Sequence, residues 1–335
     1  MPAANDAEPL LRVRDLEVAF PGARSVLHAV NGVSFDLHRG ETLGVVGESG
    51  CGKSTIGRAL MGLVPDPGRI VGGSIRLEGE ELTTLRGDRM RSLRGRRIAM
   101  IFQDPMSSLN PVMTIGAQII ESLTIHTRLR GRKAEARAAE LLRLVGIPDP
   151  VGRLGAYPHQ LSGGMRQRAG IAMAISCDPA VLVADEPTTA LDVTVQAQVV
   201  ELLARLRDEL GMAIVLISHD LGVVAGIADR VMVVYGGYVI ETGRTADVLD
   251  RSTHPYTEGL IASRTEIDGA RPERLRAIPG AAPALMGPAL ECPFRERCAL
   301  AEDVCRDSNP ALSPVGDGHE AACHVRAPLT IGALR

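Results

Sequence analysis

Apolar and polar positions change their period along the chain, and the changes divide it. Residues 11–19 (LRVRDLEVA) and 32–37 (GVSFDL) alternate or carry β-formers, which predicts strands. Residues 42–46 (TLGVV) form a short apolar run ending at Gly47, where a loop begins. Residues 53–63 predict a helix closed by Pro65 and Pro67. Further strands are expected at 74–78 and 97–102. From about 113 to 176 the period becomes helical; within it, residues 133–145 set apolar and small side chains at helical spacing among charges and stop at Gly146-Ile147-Pro148. Strand 180–184, helix 193–210, strand 212–217, helix 220–227 and strands 230–235 and 238–242 follow. Strands alternating with helices predict an α/β class with a largely parallel core sheet. Beyond about 251 the periodicity fades. Pro272, Pro279, Pro283, Pro288, Pro293, Pro310, Pro314 and Pro328 punctuate this tail, which is expected to be loop-rich and held by something other than a core. No internal repeat is present.

Composition narrows the picture. A chain of 335 residues with 45% hydrophobic content suits one large α/β domain and a smaller appendage. Aromatic residues make up 2% and Trp is absent, so the core must rest on Val, Leu, Ile and Ala, and stacking platforms for single-stranded nucleic acid are not expected. The net charge of −3 gives no basic footprint, so no nucleic-acid partner is expected. The opening MPAANDAEPLL lacks the order of a signal peptide. The longest apolar runs (169–177, 212–218 and 231–240) fall short of the roughly 18–20 residues of a membrane span. The expectation is a cytosolic protein whose membrane role, if any, rests on partner chains. The six cysteines are expected to form no structural disulfide there.

The chemistry begins at Gly47-Glu48-Ser49-Gly50-Cys51-Gly52-Lys53-Ser54, a G-x-x-x-x-G-K-[ST] phosphate loop placed between an apolar strand and a helix. Its glycines let backbone N–H groups turn inward around phosphates, and the helix N-terminus adds positive potential. Lys53 is the candidate for the β and γ phosphates, Ser54 for Mg²⁺, and Thr55 for a further hydroxyl contact. Cys51 reads as a small filler of the loop. A second apolar strand ends in Asp185-Glu186. Asp185 is placed to hold the Mg²⁺ shell, and Glu186, past the strand end, to polarise the attacking water.

Leu161-Ser162-Gly163-Gly164-Met165-Arg166-Gln167-Arg168 lies between these two motifs and resembles the signature of the ABC ATPases. Read alone, Ser162 caps the next helix. Gln103 resembles that family's Q-loop glutamine, near Mg²⁺ and water; Thr189-Ala190-Leu191-Asp192 resembles its D-loop; His219 resembles its switch histidine; Phe20 is the candidate aromatic for adenine. The resemblance covers roughly 10–250. It implies a P-loop NTPase nucleotide-binding domain over 11–250, with a RecA-like core, an antiparallel β subdomain and a helical subdomain at about 113–176. Residues 1–10 are then an N-terminal tail. It also implies ATP sandwiched between two subunits, each site joining one subunit's Lys53, Asp185, Glu186 and His219 to the other's Ser162, Gly163 and Gly164.

His254-Pro255-Tyr256-Thr257, Ile278-Pro279-Gly280, Cys292-Pro293-Phe294-Arg295-Glu296-Arg297-Cys298, Gln103-Asp104-Pro105 and Leu109-Asn110-Pro111 resemble the oligopeptide and dipeptide importers, a family that includes nickel and glutathione importers. The resemblance implies a C-terminal extension over 251–335, ATP hydrolysis coupled to peptide uptake, and a place at the cytoplasmic face of the cell membrane. The implied partners are a second ATPase subunit (a paralogue is the commoner arrangement), two integral-membrane permeases and an extracytoplasmic binding protein. Cys292, Cys298, Cys305 and Cys323 space as C-x₅-C-x₆-C-x₁₇-C. That spacing suits structural zinc poorly; four thiolates can hold a [4Fe–4S] cluster, as some members of the family are thought to do, and free thiols are the third reading. His324 is a spare ligand candidate and Cys177 a core thiol. A non-transport ABC ATPase is the rival from another class; chromosome-structure members separate the motifs by long coiled coils absent here, and translation-factor members usually carry two cassettes in one chain.

Overall fold

Strands that are apolar on both faces have to lie between two layers, and the central strands of this chain do so. The computed structural model describes residues 8–326 apart from 23–24, 105–107, 190, 264–277, 282 and 284–286. Residues 1–7, Pro105, Ala190, Pro272 and Pro328, all named above, lie outside the described residues. The strands are β1 (Leu11–Pro21), β2 (Val26–Leu37), β3 (Thr42–Val46), β4 (Arg69–Leu77), β5 (Glu80–Glu81), β6 (Ile98–Ile101), β7 (Val181–Asp185), β8 (Ala213–Ser218), β9 (Arg230–Tyr235), β10 (Tyr238–Arg244), β11 (Ser313–Gly316) and β12 (His319–Ala321).

They form an antiparallel sheet in the order β2-β1-β4-β5 and a larger sheet in the order β11-β12-β10-β9-β3-β8-β7-β6. Within the larger sheet β9, β3, β8, β7 and β6 run parallel. Alternate side chains of these strands serve two separate cores. Leu43, Val45, Val183, Val215 and Ile217 face the antiparallel sheet together with Ile56 and Leu60 of helix Lys53–Leu60. Val46, Ala184, Leu216 and Val233 face helices Gly163–Ala174 and Val193–Leu210. The predicted helical stretch contains helices Ile115–His126, Arg132–Leu144, Pro150–Arg153 and Gly163–Ala174.

Several expectations needed revision; among them, β4 begins at Arg69, five residues before the predicted start. Helix Lys53–Leu60 ends before Leu63, because Gly62 takes φ +58 and the Leu63 N–H turns back to the Arg58 carbonyl, a glycine stop ahead of the prolines. β2 begins at Val26, six residues before the predicted start. The tail is not held apart from the core. β12 pairs with β10 (Glu241 opposite Ala321) and β11 with β12, so the tail extends the main sheet. Helix Pro255–Ala262 and Phe294 pack into the core beside it. Tyr235, Tyr256 and Phe294 form an aromatic cluster with ring centroids 4.7–5.5 Å apart. In a chain with four Tyr and four Phe, that concentrates scarce aromatic area where the tail docks.

Candidate active site

β3 ends at the phosphate loop, and two glycines there have no alternative. A Cβ on Gly47 would meet the Val234 carbonyl oxygen at 2.2 Å, and one on Gly52 (φ +102) would meet the Ala29 carbonyl oxygen at the same distance. The loop is thus pressed against the backbone of β9 and β2. Lys53 is 4% exposed, and its ammonium donates to the carbonyl oxygens of Gly47 (2.7 Å) and Glu48 (2.8 Å), which draws the loop into a ring. Cys51 is 2% exposed, and burial pushes its thiol pKa up against the lowering influence of Lys53, so it remains a neutral filler.

β7 delivers the two acids. Ser54 Oγ donates to Asp185 Oδ1 at 2.8 Å. Burial pushes the Asp185 carboxyl above its ordinary value, opposed by that hydroxyl and by the charges of Arg58 and Lys53. Glu186 follows in the left-handed backbone region (φ 46), a conformation that non-glycine residues adopt only when their surroundings impose it. The surroundings are visible: its N–H donates to the Ile217 carbonyl, Oε2 accepts from Gln103 Nε2 (2.8 Å) and Thr189 Oγ1 (2.9 Å), and Oε1 lies 3.3 Å from His219 Nδ1. Burial alone would raise its pKa; the bonds from Thr189 and His219 and the charges of His219 and Lys53 outweigh it and hold the carboxyl below its usual value. Glu186 is therefore a fixed, ionised acceptor, suited to orienting a water.

A cavity of about 420 Å³ opens over these groups, lined by Ser49, Gly50, Gly52, Lys53, Ser54, Thr55, Gln103 and Glu186, with Phe20, Leu27 and Ala29 forming its apolar side. Eight of the sequence-predicted positions and Phe20 therefore share one space. Asp185 stands behind it through Ser54, and His219 reaches it through Glu186. Ser162, Gly163, Gly164 and Asp192 do not line it. Ser162 and Asp192 cap helices Gly163–Ala174 and Val193–Leu210 by accepting from the N–H groups of Met165 and Val195. The signature helix instead approaches the helix that Asp192 caps, since a Cβ on Gly164 would touch Val195 at 3.0 Å.

The donor set at Ser54 and Asp185 is two hard oxygens within 2.8 Å, which suits Mg²⁺. The tail cysteines give a different result. Cys292 is driven up to about 11 by burial, with smaller contributions in the same direction from Cys305, Cys323 and Cys298. Among the described residues, however, no three His, Cys, Asp or Glu side chains stand close enough to share a metal ion. None of the four is in a disulfide. Cys177 packs against the larger core as expected, and His324 is bonded to Ser308.

Sequence reasoning missed Leu27 and Ala29 in the cavity wall, and it missed the partners of Glu48. The Glu48 N–H donates to Tyr256 Oη (2.7 Å), and its carboxylate accepts two bonds from Arg297 (2.7 and 2.9 Å). Tyr256 and Arg297 sat in motifs already singled out, but nothing in their spacing points to residue 48.

Comparison with known proteins agrees with this architecture. A family model described as "ABC transporter" matches residues 30–189, and one described as "Oligopeptide/dipeptide transporter, C-terminal region" matches residues 240–305. The chain is 51% identical to the "Probable peptide ABC transporter ATP-binding protein y4tR" of Sinorhizobium fredii, over 95% of each chain. It is 46% identical to the "Dipeptide transport ATP-binding protein DppD" of Bacillus subtilis, over 94% of each. Among solved structures, the ATP-binding cassette MJ0796, a dimer bound to ADP and Pi, superposes with a TM-score of 0.64 at 26% identity, covering 70% of this chain and 98% of that one.

Proposed function

This chain belongs to the ATP-binding subunits of ABC transporters, in their oligopeptide/dipeptide branch, and from that membership we propose that it hydrolyses ATP to drive import of short peptides. One observation carries the chemistry: phosphate-loop side chains, Gln103 and Glu186, the residue just past β7, meet in a single cavity, with Glu186 held by three neighbours. The C-terminal match favours a transporter over a non-transport ATPase of the same fold.

In this reading the backbone N–H groups of 49–54 and the Lys53 ammonium take the phosphates, Thr55 adds its hydroxyl, and Phe20 offers its ring to the base. Ser54, Asp185 and the amide oxygen of Gln103 would hold Mg²⁺, which would supply neutralising charge for the phosphate oxygens. Glu186 accepts a hydrogen bond from the attacking water, and His219 and Gln103 keep that carboxylate aimed. Ser162, Gly163 and Gly164 of a second subunit close the cavity, with Asp192 at the junction between subunits. The domain division follows: a cassette over 11–250, its helical part at about 113–176, and an extension over 251–335. The partners we infer are a second ATPase chain, two permeases and an extracytoplasmic binding protein, with this chain at the cytoplasmic membrane face. Among the described residues no helix is long and apolar enough to cross a membrane.

We also propose a [4Fe–4S] cluster on Cys292, Cys298, Cys305 and Cys323, from the resemblance of this extension to its family and the backbone bond that joins Cys292 to Cys305; the four thiols would have to draw together to hold it. No step of ATP turnover runs through it. Iron and acid-labile sulfide in the cluster's ratio after anaerobic purification support this; four titratable thiols with neither remove it.

Glu186→Gln is the direct test of the catalytic assignment. It should lower ATPase activity by roughly 10²–10⁴ while ATP still binds. Full activity in that variant would overturn the role given to Glu186.

A further inference from the structure

Among the described residues, Glu48 is the phosphate-loop residue whose side chain bonds to the C-terminal extension. Its two carboxylate oxygens accept from both terminal nitrogens of Arg297, an end-on bidentate pair of charge-assisted bonds. The Arg297 side chain is 8% exposed and is fixed in turn by the carbonyl oxygen of Pro279 (2.6 Å) and by Tyr235 Oη (3.2 Å). From the other side, fully buried Tyr256 accepts the Glu48 N–H. The remaining backbone group of Glu48, its carbonyl, accepts from Lys53. Every polar group of this residue is therefore engaged: one by the phosphate-binding lysine, the others by the extension.

We infer that Arg297 and Tyr256 are positioning residues for ATP binding, and that the C-terminal extension sets the shape of the phosphate loop by clamping Glu48. The inference rests on the assignment of ATP to this loop. A loop that must present N–H groups to phosphates loses affinity when its peptide planes are free to turn. Glu48 sits immediately after Gly47, the hinge between β3 and the loop, so fixing it fixes where the loop starts. The clamp acts before chemistry and is present in the loop itself, so its loss should appear in nucleotide affinity and not in the turnover of bound ATP. It also gives a physical reason for two tail motifs, around Tyr256 and Arg297, to converge on one spot.

The test is a double-mutant cycle on the full chain in its assembled transporter. Arg297→Gln, Glu48→Gln and the pair are compared for KM of ATP, for Kd of MgADP and for kcat at saturating ATP. Each single change should raise KM and Kd by about fivefold or more, with kcat within about twofold of the parent. The double variant should be no worse than the weaker-binding single, because both remove the same contact. Tyr256→Phe, which removes only the acceptor of the Glu48 N–H, should raise Kd in the same direction. Arg297→Lys should recover part of the affinity. Thermal unfolding of each variant separates loss of fold from loss of affinity. Unchanged KM and Kd in folded variants, or effects that add in the double variant, overturn the clamp. ATP binding by the parent chain stands as evidence for the ATP site independently of either outcome.

Discussion

At the scale of single residues, the site places unusual demands on a few side chains. Glu186 combines a left-handed backbone, burial and three bonded neighbours, so its position is imposed by the fold and not by its own preference. His254 shows the same logic outside the site. It is 2% exposed, its Nδ1 accepts the Tyr256 N–H, and burial lowers its pKa from 6.5 to about 3, with Arg326 adding to the effect. An unfolded chain takes up a proton there below about pH 6.5 that the folded chain refuses until about pH 3. The stability contributed by neutral His254 is complete above the upper value and is lost as pH falls between the two, at up to about 1.4 kcal/mol per pH unit. Replacing His254 by Asn keeps a capping acceptor and removes the titration. Urea midpoints measured from pH 7 to pH 4 should decline less steeply in that variant than in the parent.

At the scale of elements, the buried Glu241 of β10 joins three segments. It accepts the N–H groups of Thr253 (2.6 Å) and His254 (3.1 Å) before helix Pro255–Ala262, and it pairs with His319 of β12 at 2.8 Å. Its exposure is 0%. Glu241→Ala would strand those donors, and a destabilisation on the order of 3 kcal/mol is expected by chemical denaturation. A change below about 0.5 kcal/mol would show that the junction is not held there. The same elements mark what the sequence could and could not disclose. β3, β7 and β8 are short, mainly apolar runs that end at a loop motif, an acid pair and His219 respectively, so strand and chemistry were legible together. β11 and β12 were not, because SPVG and HEA carry little apolar pattern, and their strand character comes from pairing with β10 far back in the chain. The aromatic cluster was hidden for the same reason. Tyr235, Tyr256 and Phe294 are isolated in sequence and meet only after the tail folds back.

At the scale of the whole molecule, the cavity and the signature helix lie apart within one chain. Lys53, Ser54 and Glu186 line the cavity; Ser162 and Gly163 are exposed at the start of their helix. A helix start with a hydroxyl and free N–H groups is a natural partner for the phosphate of a second subunit. Ser162→Arg is therefore expected to leave ATP affinity of the isolated chain unchanged and to lower ATPase activity of the assembled transporter by about a hundredfold or more. Equal ATPase rates in variant and parent complexes would mean that the site is complete within one subunit.

The docking of β12 on β10 also bears on how this polypeptide is made. Residue 241 leaves the ribosome about 80 residues before residue 320, a delay of roughly 4–16 s at ordinary rates of translation. Through that interval the sheet is finished on one flank and open on the other. The nascent chain displays a bare backbone margin on which a neighbouring copy could add a strand of its own.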